Sequence, residues 1–293
     1  MLKHQALIYY LFTEYAYTFE EREIAVQDMI YLLAPFGFSS QAVRVLLSRF
    51  KSKGMVETRR QGKKSYYGLT NAGIEVLARA GKQLFSRPVL QWNGCWRIIT
   101  YNIPETERKK RDEFRNFLLY YRFGSLSNGV WICPDGKGGV SLAQLKEKIN
   151  QLDINQYVYI FQAEKIGSQS NESLIFKAYG LEDLIKEYNS FIAKYQKEIN
   201  SFQEPESEEE ILQQYVKRFE VAYEHSCLLQ KDPCLPQELI PAYWNGSQAD
   251  SIAYTYISLL GKAVSVYFKK DFPKRTREDV INIFNRAVRF LEN

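Results

Sequence analysis

The sequence predicts an α+β chain of several domains, and three observations predict it. In the first third, apolar residues recur at helical spacing and then give way to two short runs rich in β-branched and aromatic residues. Between Cys95 and Ala163, strand-like and helical stretches alternate in the order β-α-β-β-α-β. From Asn171 onward the periodicity is helical throughout. A chain of 293 residues fits two or three units at roughly 150 residues each, and its 45% hydrophobic and 25% charged residues are a globular balance. No window approaches the roughly 18–20 uninterrupted apolar residues of a membrane span. The opening stretch is broken by Glu14 before a secretory apolar region develops. The chain is expected to be cytoplasmic.

Ile24, Met29, Leu32 and Leu33 mark a helix ending near Pro35. Phe36-Gly37-Phe38 makes a short connection. Ser39 or Ser40 then caps a second helix, in which Val43, Leu46, Leu47 and Phe50 fall at i, i+3, i+4 and i+7 and Gly54 is placed to end it. At about 100° per residue the opposite stripe carries Gln41, Arg44, Val45, Ser48 and Ser52, flanked by Arg49 and Lys51. Two helices across a tight glycine turn predict a helix-turn-helix, whose second helix enters a major groove. After Gly54 the period changes. The segments MVETRR and SYYGLT read as strands joined at Gln61-Gly62-Lys63-Lys64, a hairpin tip that predicts a wing. A winged helix-turn-helix is therefore expected over residues 1–87.

Charge points the same way. The formal net charge is +5, but residues 1–87 hold 13 Lys and Arg against 7 Asp and Glu, leaving 26 against 27 for the rest. Between Ser39 and Tyr66 eight cations (Arg44, Arg49, Lys51, Lys53, Arg59, Arg60, Lys63, Lys64) face Glu57 alone. Cations that neutralise phosphates release condensed counterions, so this segment favours a polyanion. Gln41, Arg44 and Ser48 are the candidates to read base edges, and Arg49, Lys51, Arg59, Arg60, Lys63 and Lys64 to hold phosphates. Ser39 and Ser40 at the helix start and Ser65 and Tyr66 on the returning strand complete the candidate DNA-binding set. A basic helix and hairpin packed on an acidic neighbour would not explain why the cations avoid the apolar stripe.

Asn71 is expected to cap a further helix through Ile74, Leu77, Ala78, Gly81 and Leu84, leading to a boundary at Ser86-Arg87-Pro88. Cys95 to Ile103 then reads as a strand closed by Pro104, followed by a helix with Phe114, Phe117, Leu118 and Tyr121 on one face. Phe123–Ser127 and Val130–Cys133 flank Asn128-Gly129, a strong hairpin signal. A helix near Val140–Leu152 and a strand at Tyr157–Ala163 complete a ferredoxin-like βαββαβ domain over residues 88–170. Trp92, Trp96 and Trp131 are read as core aromatics. The charged run from Glu105 to Glu113 is read as a solvated face. Residues 171–293 are expected to form a helical accessory domain. Its faces are marked by Leu181, Leu184, Ile185, Tyr188 and Ile192, by a helix after the QEPESEEE break, and by a last helix from Val280 to Leu291.

Few residues offer catalysis or metal binding. Cys95, Cys133, Cys227 and Cys234 include no CxxC, and His4 and His225 are the only imidazoles. Reduced thiols, no metal, no cofactor and no enzymatic activity are expected. Gly136-Lys137-Gly138-Gly139 lacks the spacing of a phosphate-binding loop.

Three blocks resemble the PaaX family of transcriptional repressors. They are LLAPFGFSSQAVRVLLSRFKSKGMVETRRQGKKSYYGLTNAG, the pair WNGCWRIITYNIPE and FGSLSNGVWICP, and DPCLPQELIPAYWNG. The likeness runs over nearly the whole chain. It implies a repressor that binds a palindromic or repeated double-stranded operator as a homodimer and is released by an effector, phenylacetyl-CoA or another acyl-CoA. The middle domain is also similar to small CRISPR-associated nucleases that carry a catalytic Asp at the end of their first strand. Here Asn102 holds that place, and an amide is a poor ligand for a hard divalent metal. Two alternatives remain open, both acting through the ferredoxin-like domain: a metal-dependent nuclease and an RNA-binding adaptor.

Overall fold

The structure, a computed structural model, describes residues 3–12, 23–76 and 90–271. Leu77 to Leu84, the boundary at Ser86-Arg87-Pro88 and the helix expected from Val280 lie outside the described residues. Two compact units make up the chain. The first comprises Met1–Ser86, Phe191–Gln230 and Gln248–Asn293, the second Arg87–Ser190 and Lys231–Ser247. The helical stretches after residue 171 are thus shared between the units. Among the described residues no single helix is long and apolar enough to cross a membrane.

In the first unit, α1 (Lys3–Leu11) precedes a three-residue strand β1 (Glu23–Ala25) and helix α2 (Val26–Leu33). A 3-10 turn over Ala34–Phe36 and Gly37 at φ +81° turn the chain into α3 (Ser40–Ser52), and the two helical segments bend through 114°. Glycine is required at residue 37 because the left-handed region penalises a Cβ. Ile24 does not belong to α2 as expected. It pairs with Tyr67 and buries its side chain from the strand, leaving 1% exposed. Strands β2 (Val56–Gln61) and β3 (Lys64–Leu69) form a hairpin in register from Val56↔Leu69 to Gln61↔Lys64, and the sheet order is β1-β3-β2.

The next helix, α4, is described over 71–76, and its cap is Thr70 rather than Asn71. The Thr70 hydroxyl accepts from Gly73 N–H at 3.0 Å and donates to the Gly54 carbonyl at 2.5 Å, tying the end of the hairpin to the end of α3. One core joins these elements: Leu7, Ile8 and Leu11 of α1, Met29, Leu32 and Leu33 of α2, and Val43, Leu47 and Phe50 of α3. Tyr215 and Phe219 of α9 (Glu208–Lys231) and Val264 of α10 (Gly246–Asp271) complete it.

The second unit holds β4 (Gln91–Tyr101), α5 (Arg108–Tyr120), β5 (Gly124–Ser127), β6 (Val130–Lys137), α6 (Leu142–Gln151) and β7 (Val158–Ala163). Its sheet runs β5-β6-β4-β7 with every pair antiparallel. The period of two sends alternate residues to opposite faces. Ile99, Trp131 and Cys133 meet Phe114 and Leu118 of α5 and Leu145 and Ile149 of α6 on one side. Trp96 and Ile132 meet Leu174, Ile175 and Ala178 of α7 (Asn171–Tyr179) on the other. Gly124 permits that approach, since a Cβ there would lie 2.8 Å from the Cβ of Ala178. Trp96 and Trp131 are core residues, at 0% and 5% exposure. Helix α8 (Leu181–Asn200) buries Leu181, Leu184, Tyr188, Phe191 and Tyr195 at helical spacing.

Candidate nucleic-acid interface

The site begins with the local chemistry of α3. Ser39, extended at φ −71° and ψ 159°, accepts from Ala42 N–H through its hydroxyl and leaves Ser40 as the first helical residue. Burial of Val43, Leu47 and Phe50 fixes the helix rotation, so Gln41, Arg44, Val45, Ser48 and Arg49 are all exposed. Gly54 at φ +67° turns the chain out of the helix toward β2.

The hairpin follows with its tip at Gly62-Lys63, where Gly62 adopts φ +60°. Arg60, Lys63 and Lys64 are exposed there, and Ser65 and Tyr66 are half-buried on β3. Arg59 behaves differently from its neighbours. Its Nε and one terminal nitrogen donate to Glu23 Oε2 at 2.8 and 2.7 Å, its other terminal nitrogen reaches Gln61 Oε1 at 3.3 Å, and its guanidinium lies 5.1 Å from the Tyr66 ring centre. The pair joins the hairpin to β1 with Glu23 only 16% exposed. The side chains of Arg44, Arg49, Lys51, Lys53, Arg60, Lys63 and Lys64 have no ion-pair partner among the described residues and are all exposed. Such cations are available to an external polyanion without first breaking an internal pair.

Two contributors were not legible as site residues. Glu23 lies 36 residues from Arg59 and only strand pairing brings them together. His4 of α1 packs edge-on against Phe38 at 5.3 Å and lines, with Gln41, Val45 and Arg49, a groove of about 410 Å³. No spacing rule connects His4 to α3 in the sequence.

A second cavity in the first unit, of about 720 Å³, has a different character. Glu198, Glu204, Glu206 and Glu210 line it with Lys217 and Tyr256. Tyr256 donates to Glu198 Oε2 at 2.9 Å, and burial together with that carboxylate pushes its phenol upward from the ordinary range. The carboxylates would repel the phosphates of a CoA thioester.

In the second unit, Asn102 follows β4 as an exposed residue whose N–H donates to the Tyr157 carbonyl at 3.1 Å. Among the described residues no three His, Cys, Asp or Glu side chains converge as a metal site would require. Asp135 is buried but satisfied, accepting from Asn93 at 3.2 Å, from Gln162 at 3.1 Å and from Arg97.

Comparison with known proteins covers most of the chain. Residues 3–73 match the sequence profile described as PaaX-like protein, residues 90–175 that of the PaaX protein central Cas2-like domain, and residues 179–270 that of the PaaX-like protein C-terminal domain. The transcriptional repressor PaaX of Escherichia coli K12 is 23% identical over 230 residues, spanning 78% of this chain and 71% of the relative. Among solved structures, the uncharacterized protein Rv0674 from Mycobacterium tuberculosis superposes with a TM-score of 0.61 at 20% identity, over 89% of this chain and 97% of that one. At that identity the likeness speaks to fold alone.

Proposed function

The chain belongs to the PaaX family of transcriptional regulators, and from that premise we propose that it is a repressor whose first 87 residues form a winged helix-turn-helix on operator DNA. The observation that carries the proposal is the exposed polar face of α3, followed in the chain by hairpin-tip cations that have no ion-pair partner among the described residues. The 114° bend between α2 and α3 lies within the roughly 90–120° of helix-turn-helix pairs and supports the same reading. Gln41, Arg44 and Ser48 read bases, with Ser39 and Ser40 at the helix start. Arg49, Lys51, Arg60, Lys63 and Lys64 hold phosphates, flanked by Ser65 and Tyr66. Arg59 braces the wing through Glu23, because its guanidinium is already engaged.

The regulator acts in the cytoplasm as a homodimer on a palindromic or repeated operator. An aryl- or acyl-CoA thioester, phenylacetyl-CoA first among them, releases it. We do not place that effector in the glutamate-lined cavity of the first unit, since charge opposes it. Residues 88–170 serve as a ferredoxin-like domain, and the helical residues 171–293, shared between the two units, as accessory segments, both without catalysis.

The test is a titration of duplexes from upstream of its own and neighbouring genes, with and without phenylacetyl-CoA and its free acid. One duplex should bind at nanomolar concentration and be released by the thioester alone. Arg44→Ala should cost about 1–3 kcal/mol at one base pair and relax preference there. Equal binding of the two proteins to every duplex would overturn the assignment of α3.

One observation favours a second reading. Tyr159 and Phe161, two apart on edge strand β7, are 62% and 52% exposed, a pairing able to stack single-stranded bases. Preference for single-stranded RNA over duplex DNA at matched salt, abolished by Phe161→Ala, would favour an RNA-binding adaptor.

A further inference from the structure

Val45, neither a base-reading nor a phosphate-holding residue in the proposed interface, stands near the centre of the outward face of α3. The buried stripe is Val43, Leu47 and Phe50, and at about 100° per residue the direction opposite it falls between Gln41 and Val45. Val45 is 46% exposed, four residues from Gln41 and four from Arg49. A β-branched residue in this place lowers helix propensity and leaves 46% of its surface uncovered by its own chain.

Single exposed apolar residues are common on protein surfaces, so position must carry the argument. Val45 lines the 410 Å³ groove together with Phe38, Ala42 and Leu46, while Ser39, Gln41, Arg49 and His4 supply its polar lining and no carboxylate contributes among the described residues. An apolar patch rimmed by an amide and a guanidinium matches one feature of the major groove: the 5-methyl of thymine, the only apolar group on a base edge there, set among acceptors and donors.

Resting on the DNA-binding reading, we propose that Val45 is a specificity-determining residue that receives a thymine methyl. Four residues of helix advance about 6 Å, less than two base-pair steps at 3.4 Å. The thymine therefore lies within two base pairs of the base read by Gln41.

The experiment selects a binding site for the full chain from a pool of random duplexes, then replaces each thymine in turn by deoxyuridine, which removes only the methyl. Wild-type affinity should fall about fourfold at one position, the equivalent of one buried methyl group. Val45→Ser should bind the thymine and uracil duplexes equally at that position, and Val45→Ala should narrow the difference. Gln41→Ala should relax preference at a base pair no more than two steps away. The proposal is overturned if no uracil duplex weakens wild-type binding, or if the loss persists undiminished in both Val45 variants. Enrichment of no duplex at all would instead remove the DNA-binding reading on which the proposal rests.

Discussion

On the proposed DNA-binding role, removing the cations of the hairpin tip should change how duplex binding responds to salt, by an amount that follows from the number of exposed cations. Arg60, Lys63 and Lys64 are exposed and without ion-pair partners among the described residues, so each can neutralise one phosphate. Each such contact contributes about 0.9 to the slope of log affinity against log salt. The triple variant Arg60→Ala, Lys63→Ala, Lys64→Ala should therefore have a slope shallower by about 2.7. Between 50 and 200 mM salt the wild type should lose affinity about 40-fold more steeply than the variant. Fluorescence anisotropy of a labelled operator duplex across that range measures the difference directly. Arg59→Ala is the control from the same hairpin. Its guanidinium is engaged by Glu23, so its loss should leave the slope near wild type and cost about 1 kcal/mol or less of stability. If the triple variant keeps the wild-type slope, or Arg59→Ala alone removes a full contact, the division between free and engaged cations is wrong.

Gly73→Ala should destabilise the chain by about 1–3 kcal/mol in chemical denaturation, because the new Cβ would lie 2.1 Å from the Met55 carbonyl oxygen and backbone must shift; an unchanged midpoint would refute that contact. Asp232→Ala should cost about 3 kcal/mol, since Asp232 is 2% exposed and accepts from Tyr188 Oη and Cys234 N–H, both at 2.6 Å. Asp232→Asn, which keeps an acceptor, should lose less in the same urea titration. Burial pushes the Cys133 thiol up to about 12, so at pH 8 it stays protonated and unreactive. Iodoacetamide followed by mass spectrometry should modify half-exposed Cys95 while Cys133 stays intact until the chain is denatured. The same burial stabilises the fold fully below the ordinary thiol range of about 9, and that contribution should be lost as pH rises toward 12.

The parts of the fold governed by local chemistry were readable in advance. The apolar spacing of Val43, Leu47 and Phe50, a cap at Ser39 or Ser40, which the structure resolves to Ser39, and the turn within Gln61-Gly62-Lys63-Lys64 each depend on residues a few positions apart. The Asn128-Gly129 turn between β5 and β6 was legible for the same reason, with Gly129 at φ +73°. Strand limits were not. The strand expected from Cys95 begins at Gln91, because a register shift between Trp92 and Trp96, with Gly94 at φ +87°, lets pairing resume beyond an irregularity. Strand β6 likewise runs past Pro134 to Lys137, since pairing to β4 continues on the far side of that irregularity.

By itself the sequence determined that cations gather on a short polar helix face and a hairpin, since helical and strand periods sort side chains by position alone. Only the tertiary structure decided which of those cations are available. Arg59 and Arg60 are adjacent and chemically identical, but opposite pleat directions turn one toward Glu23 on β1 and leave the other in solvent. The packing of Tyr215 and Phe219 against Phe36 was equally hidden, because the contact joins residues more than 170 positions apart through burial of apolar surface, which carries no local signature.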